Sequence, residues 1–174
     1  MITKINTSIP TDTNKKILDI LFNSPSVDWG FAIDDRFKMN LKKLDSGLSF
    51  LTYSQYQKHR PHEVLNTYAS FIFDMTKEKS LIKFKEIDRF YWNWYHPYSK
   101  GTKFHIDETE DNCYSIIYNL HTNDGGTKFN INDEIKFEKS VESEAVIFPS
   151  KILHTGVAPT KDLHRFSLNI ITRI

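Results

Sequence analysis

The chain has 174 residues and a formal net charge of +1, with 23 Lys and Arg nearly balanced by 22 Asp and Glu. That length fits one domain whose core needs no covalent staples, and the charge balance argues against a nucleic-acid partner, because such binders carry a clear basic excess. Aromatic residues are 14% of the chain, which excludes a disordered polymer, and the single cysteine, Cys113, excludes an internal disulfide framework or an all-thiolate metal site.

Residues 1–10 carry no signal-peptide pattern, and no run approaches the roughly 18 apolar residues of a membrane span. The expected setting is a reducing cytoplasm without a membrane partner. Residues 11–22 read as a helix with Ile17, Leu18, Leu21 and Phe22 on one face, Asp12 or Thr13 as cap, and Pro25 beyond its end. Short strands are predicted over 27–33 and 48–53, joined by a lysine-rich loop carrying Gly47. The strongest helix covers 61–77: Pro61 suits its first turn, and Val64, Leu65, Tyr68, Phe71, Ile72 and Met75 form its apolar face. From residue 85 the apolar period becomes two. Strands are predicted over 87–95, 103–107, 113–120, 127–131, 134–138, 144–149, 152–157 and 164–172, with turns at 98–101, 123–126, 132–133 and 159–162. Eight such strands suit a jelly roll. The fold class is therefore mainly β with flanking helices: residues 1–174 form one domain, 1–85 supplying helices and edge strands and 86–174 the jelly-roll core.

The chemistry concentrates in that second half. On a strand end, His105 and Asp107 face one way and Ile106 the other, so one imidazole and one carboxylate can ligate the same Fe(II), Mn(II) or Zn(II). Taken alone the pair is weak, since chance supplies about half of one such triplet in a chain with this many His and Asp. His154 follows at the end of an apolar strand. Arg165, Ser167 and Asn169 then share one face of the last strand, and Phe166, Leu168 and Ile170 the other. Arg is scarce, 5 against 18 Lys, and its planar guanidinium binds a carboxylate through two parallel hydrogen bonds. Together these features fall below about one in a hundred by chance. Two His and one carboxylate on one side of a metal leave three positions for a chelating cosubstrate and O₂.

These residues resemble the 2-oxoglutarate- and Fe(II)-dependent oxygenases in their small prolyl-hydroxylase-like form, over about residues 87–173. Asn93-Trp94-Tyr95 followed by Gly101 resembles the family's aromatic strand and glycine turn, and His105-Ile106-Asp107 its His-x-Asp. Tyr118-Asn119-Leu120 resembles its Tyr-Leu-Asn strand with the last two residues exchanged. Gly125-Gly126-Thr127-Lys128-Phe129 resembles its Gly-Gly hairpin, His154 its distal histidine, and Arg165-x-Ser167 its cosubstrate-binding strand. The resemblance implies a double-stranded β-helix of cupin-like form, with N-terminal helices packed on one sheet. It implies Fe(II) held by His105, Asp107 and His154, with 2-oxoglutarate and O₂ as cosubstrates and ascorbate as reductant. Arg165 and Ser167 would bind the far carboxylate of 2-oxoglutarate, helped by Tyr95 or Tyr98. Tyr95 lies farther before His105 than is usual, which keeps Tyr98 open. The implied reaction couples decarboxylation of 2-oxoglutarate to succinate and CO₂ with hydroxylation of a prolyl or other amino-acid side chain, or of a small molecule.

Two alternatives share parts of the pattern. Alkylated-base dioxygenases of nucleic acid carry the same triad but want a second Arg where this chain has Ile171, although Arg173 lies on the same strand face. A non-catalytic, cupin-type metal-binding barrel would usually carry His-x-His and a Glu. Asn112, Tyr114, Ile116 and Tyr118 share a strand face that either lines the pocket or fills the barrel. The run Phe90 to His96 reads as Tyr91, Asn93 and Tyr95 on one face, with Trp92 and Trp94 against helix 61–77. His59, His62, His96 and His121 are expected at the surface, His164 pointing away from the pocket, and Glu108, Glu110 and Asp111 in an exposed acidic loop.

Overall fold

The computed structural model describes residues 1–25, 27, 29–31, 51–54, 62–97, 102–162 and 164–174. Pro61, His59, the loop around Gly47 and the turn from Tyr98 to Gly101 lie outside the described residues, so the expectations placed on them stand where the sequence left them. The elements are β1 Thr3–Asn6, α1 Thr11–Asn23, β2 Gly30–Phe31, β3 Leu51–Ser54, α2 Glu63–Lys79, β4 Ile87–Tyr95, β5 Cys113–Asn119, β6 Gly126–Ile131, β7 Glu134–Lys139, β8 Glu144–Pro149, β9 Leu153–Val157 and β10 Arg165–Arg173. Two antiparallel sheets result, a large one ordered β1-β8-β5-β10-β4-β3-β2 and a small one ordered β7-β6-β9. This is the expected mainly β jelly roll with helices on one sheet.

Register decides which residues face which side. Leu168 lies opposite Trp92 and Tyr118, and Ile116 opposite Ile147 and Ile170. These residues point outward, under the helices, and join Ile17 and Leu21 of α1 and Leu65, Ala69, Ile72 and Phe73 of α2 in the main core. Each fully buried aliphatic or aromatic side chain there contributes about 1.5–3 kcal/mol. The alternate residues face inward, toward the small sheet. There Ile117, Val146 and Phe148 meet Phe129 in a second, smaller core. A polar knot sets the seat of α1: Asn14 is fully buried, accepts from the Tyr118 hydroxyl at 2.7 Å and donates to Ser143 Oγ at 3.0 Å.

The structure corrects several details of the expected pattern. Helix α1 is capped by Pro10 without a side-chain bond, not by Asp12 or Thr13, because the Pro10 carbonyl already receives the N–H groups of Thr13 and Asn14. The buried face of α1 runs through Asn14, Ile17 and Leu21, and Phe22 is left 55% exposed. Helix α2 starts later than expected, at Glu63, with His62 Nδ1 accepting from the Leu65 N–H. Its buried face includes Ala69 and Phe73, while Val64 and Phe71 face solvent. Trp94 does not join α2: its ring stacks on Phe166 and meets Phe22 of α1 and Trp29. Strand β1 was not anticipated, since four residues of lysine-containing alternation are a weak signal; it completes the sheet edge beside β8.

Residues 103–107 are not a strand. His105 alone forms an isolated bridge with His154, each N–H donating to the other's carbonyl at 2.9 Å. The ladder stops there because the Asp107 N–H turns to the Ser150 carbonyl at 3.0 Å. Between β6 and β7, Asn132 and Asp133 both have positive φ (52° and 65°), the backbone a tight two-residue hairpin requires.

Candidate active site

The backbone bridge between His105 and His154 brings their imidazoles side by side, with centroids 4.5 Å apart. Asp107 completes the group: its Oδ1 lies 3.7 Å from His105 Nε2 and its Oδ2 3.5 Å from His154 Nε2. One donor atom from each residue falls within 4.8 Å of the others, so the three can hold a metal ion. Both histidines are set up as ligands by their other nitrogen. His105 Nδ1 is 2.9 Å from the Lys103 carbonyl and His154 Nδ1 is 2.9 Å from the Ile152 carbonyl. A carbonyl only accepts, so Nδ1 carries the proton and Nε2 presents its lone pair inward. His154 is packed between Phe129 and Phe148 and is 2% exposed. Burial pushes its pKa down, with the Asp107 charge opposing, and this favours the neutral form that binds metal. Two imidazoles and one carboxylate suit Fe(II), Mn(II) or Zn(II), and the open side of the triad fits a chelating ligand.

Asp107 is held by Asn169 of the polar face of β10 and by groups that the sequence pattern does not single out. Ser115 Oγ donates to Asp107 Oδ2 at 2.6 Å, Ser150 Oγ lies 2.9 Å behind it, and Asn169 Nδ2 reaches the same Oδ2 at 3.5 Å. Arg89 Nη2 donates to the Asp107 carbonyl at 3.0 Å while its Nη1 pairs with Glu108. The acidic residues after the triad are thus largely engaged: Glu108 with Arg89, Glu110 with Arg173, Asp111 with Lys151.

Arg165 and Ser167 lie on the same inward face of β10 as Asn169. Arg165 is 1% exposed, opposite Tyr95, with its guanidinium carbon 4.7 Å above the Tyr95 ring. It hydrogen-bonds to Tyr95, and its other neutral contacts are long: 3.3 Å to Thr127 Oγ1 and 3.5 Å to the Val157 carbonyl. Among the described residues no carboxylate pairs with it, and its Nε is buried without a partner. Burial pulls its pKa down, with Tyr95 opposing. A buried cation without an anion is costly, so the pocket fits a ligand that brings a carboxylate. Gly156 keeps this arrangement possible, since a Cβ there would stand 2.3 Å from Tyr95 Oη.

The structure brings together His105, Asp107 and His154, and puts Tyr95 against Arg165; Tyr98 lies outside the described residues. Asn112, Tyr114, Ile116 and Tyr118 do not line the pocket. Ile116 and Tyr118 lie in the outer core, and the inward positions of β5 are Cys113, Ser115, Ile117 and Asn119. His121 is half-buried: burial lowers its pKa, and its Nε2 accepts the Phe166 N–H at 3.3 Å. His164 points outward as expected and accepts from Trp94 Nε1 at 2.9 Å. Thr127 could have been found in sequence, because it belongs to the Gly125-Gly126-Thr127 hairpin. Ser115 and Ser150 had no distinguishing signal.

No protein-family model and no curated protein matches the chain. Solved structures match throughout its length. A Pseudomonas putida prolyl-4-hydroxylase is 12% identical, with a TM-score of 0.63 over 99% of this chain and 91% of that one. A Trichoplax adhaerens prolyl hydroxylase, in complex with a peptide fragment of the hypoxia inducible factor oxygen degradation domain, is 13% identical, with a TM-score of 0.67 over 99% and 83%. The non-heme alpha ketoglutarate dependent carbocyclase SnoK of nogalamycin biosynthesis is 9% identical, with a TM-score of 0.69 over 99% and 79%. At these identities the likeness shows the fold, the jelly roll of 2-oxoglutarate-dependent oxygenases. No helix among the described residues is long and apolar enough to cross a membrane.

Proposed function

We propose that the protein is a 2-oxoglutarate- and Fe(II)-dependent dioxygenase that couples formation of succinate and CO₂ to hydroxylation of an amino-acid side chain, prolyl or other, in a peptide or protein. One observation carries the reading: a fully buried Arg165 without a carboxylate partner shares the inner face of the barrel with a His-Asp-His group that can hold metal. A metal triad alone would suit many proteins. A triad together with an unanswered buried guanidinium calls for a ligand that chelates at one end and carries a carboxylate at the other, as 2-oxoglutarate does.

In this reading His105, Asp107 and His154 are the metal ligands, presenting Nε2, a carboxylate oxygen and Nε2. Arg165 pairs with the far carboxylate of 2-oxoglutarate, with Ser167 beside it and Tyr95 fixing the plane of the guanidinium. Phe129 and Phe148 keep water from the side of His154. Bound Fe(II) with 2-oxoglutarate supplies the activation of O₂. The peptide or amino-acid substrate is favoured by the motifs shared with small prolyl hydroxylases, and two of the structures with this fold are prolyl hydroxylases. Residues 1–85 belong with the barrel to one domain in this reading, with α1 and α2 packed on the outer face of the large sheet. The lone buried thiol of Cys113 suits a reducing compartment. Arg173 gives no support to the alkylated-base reading, since it is turned to Asp88 and Glu110.

The test is succinate formation from 2-oxoglutarate with Fe(II), ascorbate and air, using wild type, His105→Ala and Arg165→Ala. Succinate that disappears in both variants supports the assignment. Absence of succinate together with absence of anaerobic Fe(II) and 2-oxoglutarate binding overturns it in favour of a non-catalytic barrel.

A further inference from the structure

The two oxygens of Asp107 differ in their surroundings. Each faces one histidine, but Oδ2, 3.5 Å from His154 Nε2, also receives the Ser115 hydroxyl at 2.6 Å and faces Asn169 Nδ2 at 3.5 Å. Oδ1 receives no donor from the described residues and faces His105 Nε2 at 3.7 Å. Chemistry fixes the proton directions. A carboxylate only accepts, so Ser115 donates its one proton to Asp107. Ser150 Oγ, 2.9 Å away, must then donate to the Ser115 oxygen, which strengthens Ser115 as a donor. The same rule makes Asn169 present its NH₂ to Oδ2. Ser115 and Ser150 are fully buried, so water does not compete with this chain. Ser150 also anchors the backbone, its carbonyl accepting the Asp107 N–H at 3.0 Å.

We infer that Ser115, supported by Ser150 and Asn169, is a positioning residue that reserves Oδ2 and leaves Oδ1 as the single ligating oxygen of Asp107; this rests on the dioxygenase reading. A carboxylate with both oxygens unreserved can bind a metal edge-on and take two positions. The triad leaves three, of which a 2-oxo acid needs two and O₂ one. An edge-on Asp107 therefore competes with the cosubstrate without weakening the metal.

The experiment uses full-length protein loaded with Co(II), whose visible spectrum reports coordination without turnover, and titrates 2-oxoglutarate anaerobically. Ser115→Ala is expected to take up Co(II), to show an altered spectrum before any 2-oxoglutarate is added, and to bind 2-oxoglutarate at least about tenfold more weakly, the lower end of effects from groups that orient metal ligands. Ser150→Ala shifts both readouts the same way by less, and Ser115→Thr, which keeps the hydroxyl, restores them. A wild-type spectrum with 2-oxoglutarate affinity within about twofold of wild type in Ser115→Ala overturns the inference and leaves the dioxygenase reading standing. If Ser115→Ala does not fold, Ser150→Ala is judged by the same two readouts. A wild type that takes up no Co(II) and makes no succinate overturns the functional reading and the inference with it.

Discussion

Replacing Arg165 by Met should stabilise the ligand-free protein while abolishing its response to 2-oxoglutarate. The guanidinium is 1% exposed, and moving such an ion out of water costs several kcal/mol even after relaxation. Against that stand two hydrogen bonds at 3.3 and 3.5 Å, at or beyond the long end of the normal range, a side-chain hydrogen bond with Tyr95, and the stack on the Tyr95 ring, worth about 2 kcal/mol when desolvated. Its pKa is pulled down by burial, so the charge opposes folding at neutral pH. Met keeps most of the volume and none of the charge. The expected gain is about 1–2 kcal/mol, the lower part of the range for replacing buried ionic groups by apolar ones. For a chain of this size that raises Tm by roughly 2–8 °C. Differential scanning fluorimetry with and without Mn(II) and 2-oxoglutarate gives the readout. At a hundred times Kd the ligand stabilises the wild type by about 2.7 kcal/mol, and the variant should show no such shift. A ligand-free Arg165→Met that melts below wild type would mean that Thr127, Val157 and Tyr95 already satisfy the guanidinium. Arg165 would then be structural, and the main support for the cosubstrate assignment would be gone.

Gly156→Ala puts a Cβ 2.3 Å from Tyr95 Oη and 2.6 Å from its Cζ, so the ring must leave Arg165. Overpacking of this kind costs about 1–3 kcal/mol, and 2-oxoglutarate affinity by calorimetry should fall while Mn(II) affinity is kept; unchanged 2-oxoglutarate binding would remove Tyr95 from the pocket. Asp124 accepts the N–H groups of Thr160, Lys161 and Asp162 and the Thr160 hydroxyl, which hold its pKa well below the usual carboxylate range. Its contribution is therefore complete above the ordinary carboxylate pKa and lost only as pH falls through the depressed folded value. Asp124→Asn should lower Tm by a constant amount from about pH 5 upward, with the gap closing only in strong acid; a gap that changes near neutrality would refute the assignment.

The triad and Arg165 were legible because strand alternation ties spacing to facing. His-x-Asp puts two candidate ligands on one side even where residues 103–107 form no strand, since the bridge to His154 fixes His105 and the Ser150 carbonyl fixes the Asp107 N–H. The face of β5 was not legible. Both of its alternating sets mix polar and apolar residues, and both sides are buried: Ile116 and Tyr118 under the helices, Ser115 and Ile117 toward the small sheet. Composition along the strand cannot choose between two buried sides. In this strand both tyrosines lie on the helix side, although aromatic rings also occupy the inner face, as Phe129 and Phe148 do. Phe22, Val64 and Phe71 continue the apolar stripes of α1 and α2 yet lie exposed, so the apolar period overstates how far each buried face extends.

The same partition explains how the site is held rigid. Each residue of the outer core alternates with a residue of the inner face: Phe166 and Leu168 flank Ser167, and Ile116 follows Ser115. The inner face carries the uncompensated charge of Arg165, and the outer face, filled by Trp92, Leu168 and the two helices, stabilises the strands that carry it. Tyr118 and Asn14 make this coupling specific, because their buried 2.7 Å bond ties α1 to the strand that also carries Ser115. Helix α1 is thus tied, through the backbone of β5, to the strand from which Ser115 reaches Asp107.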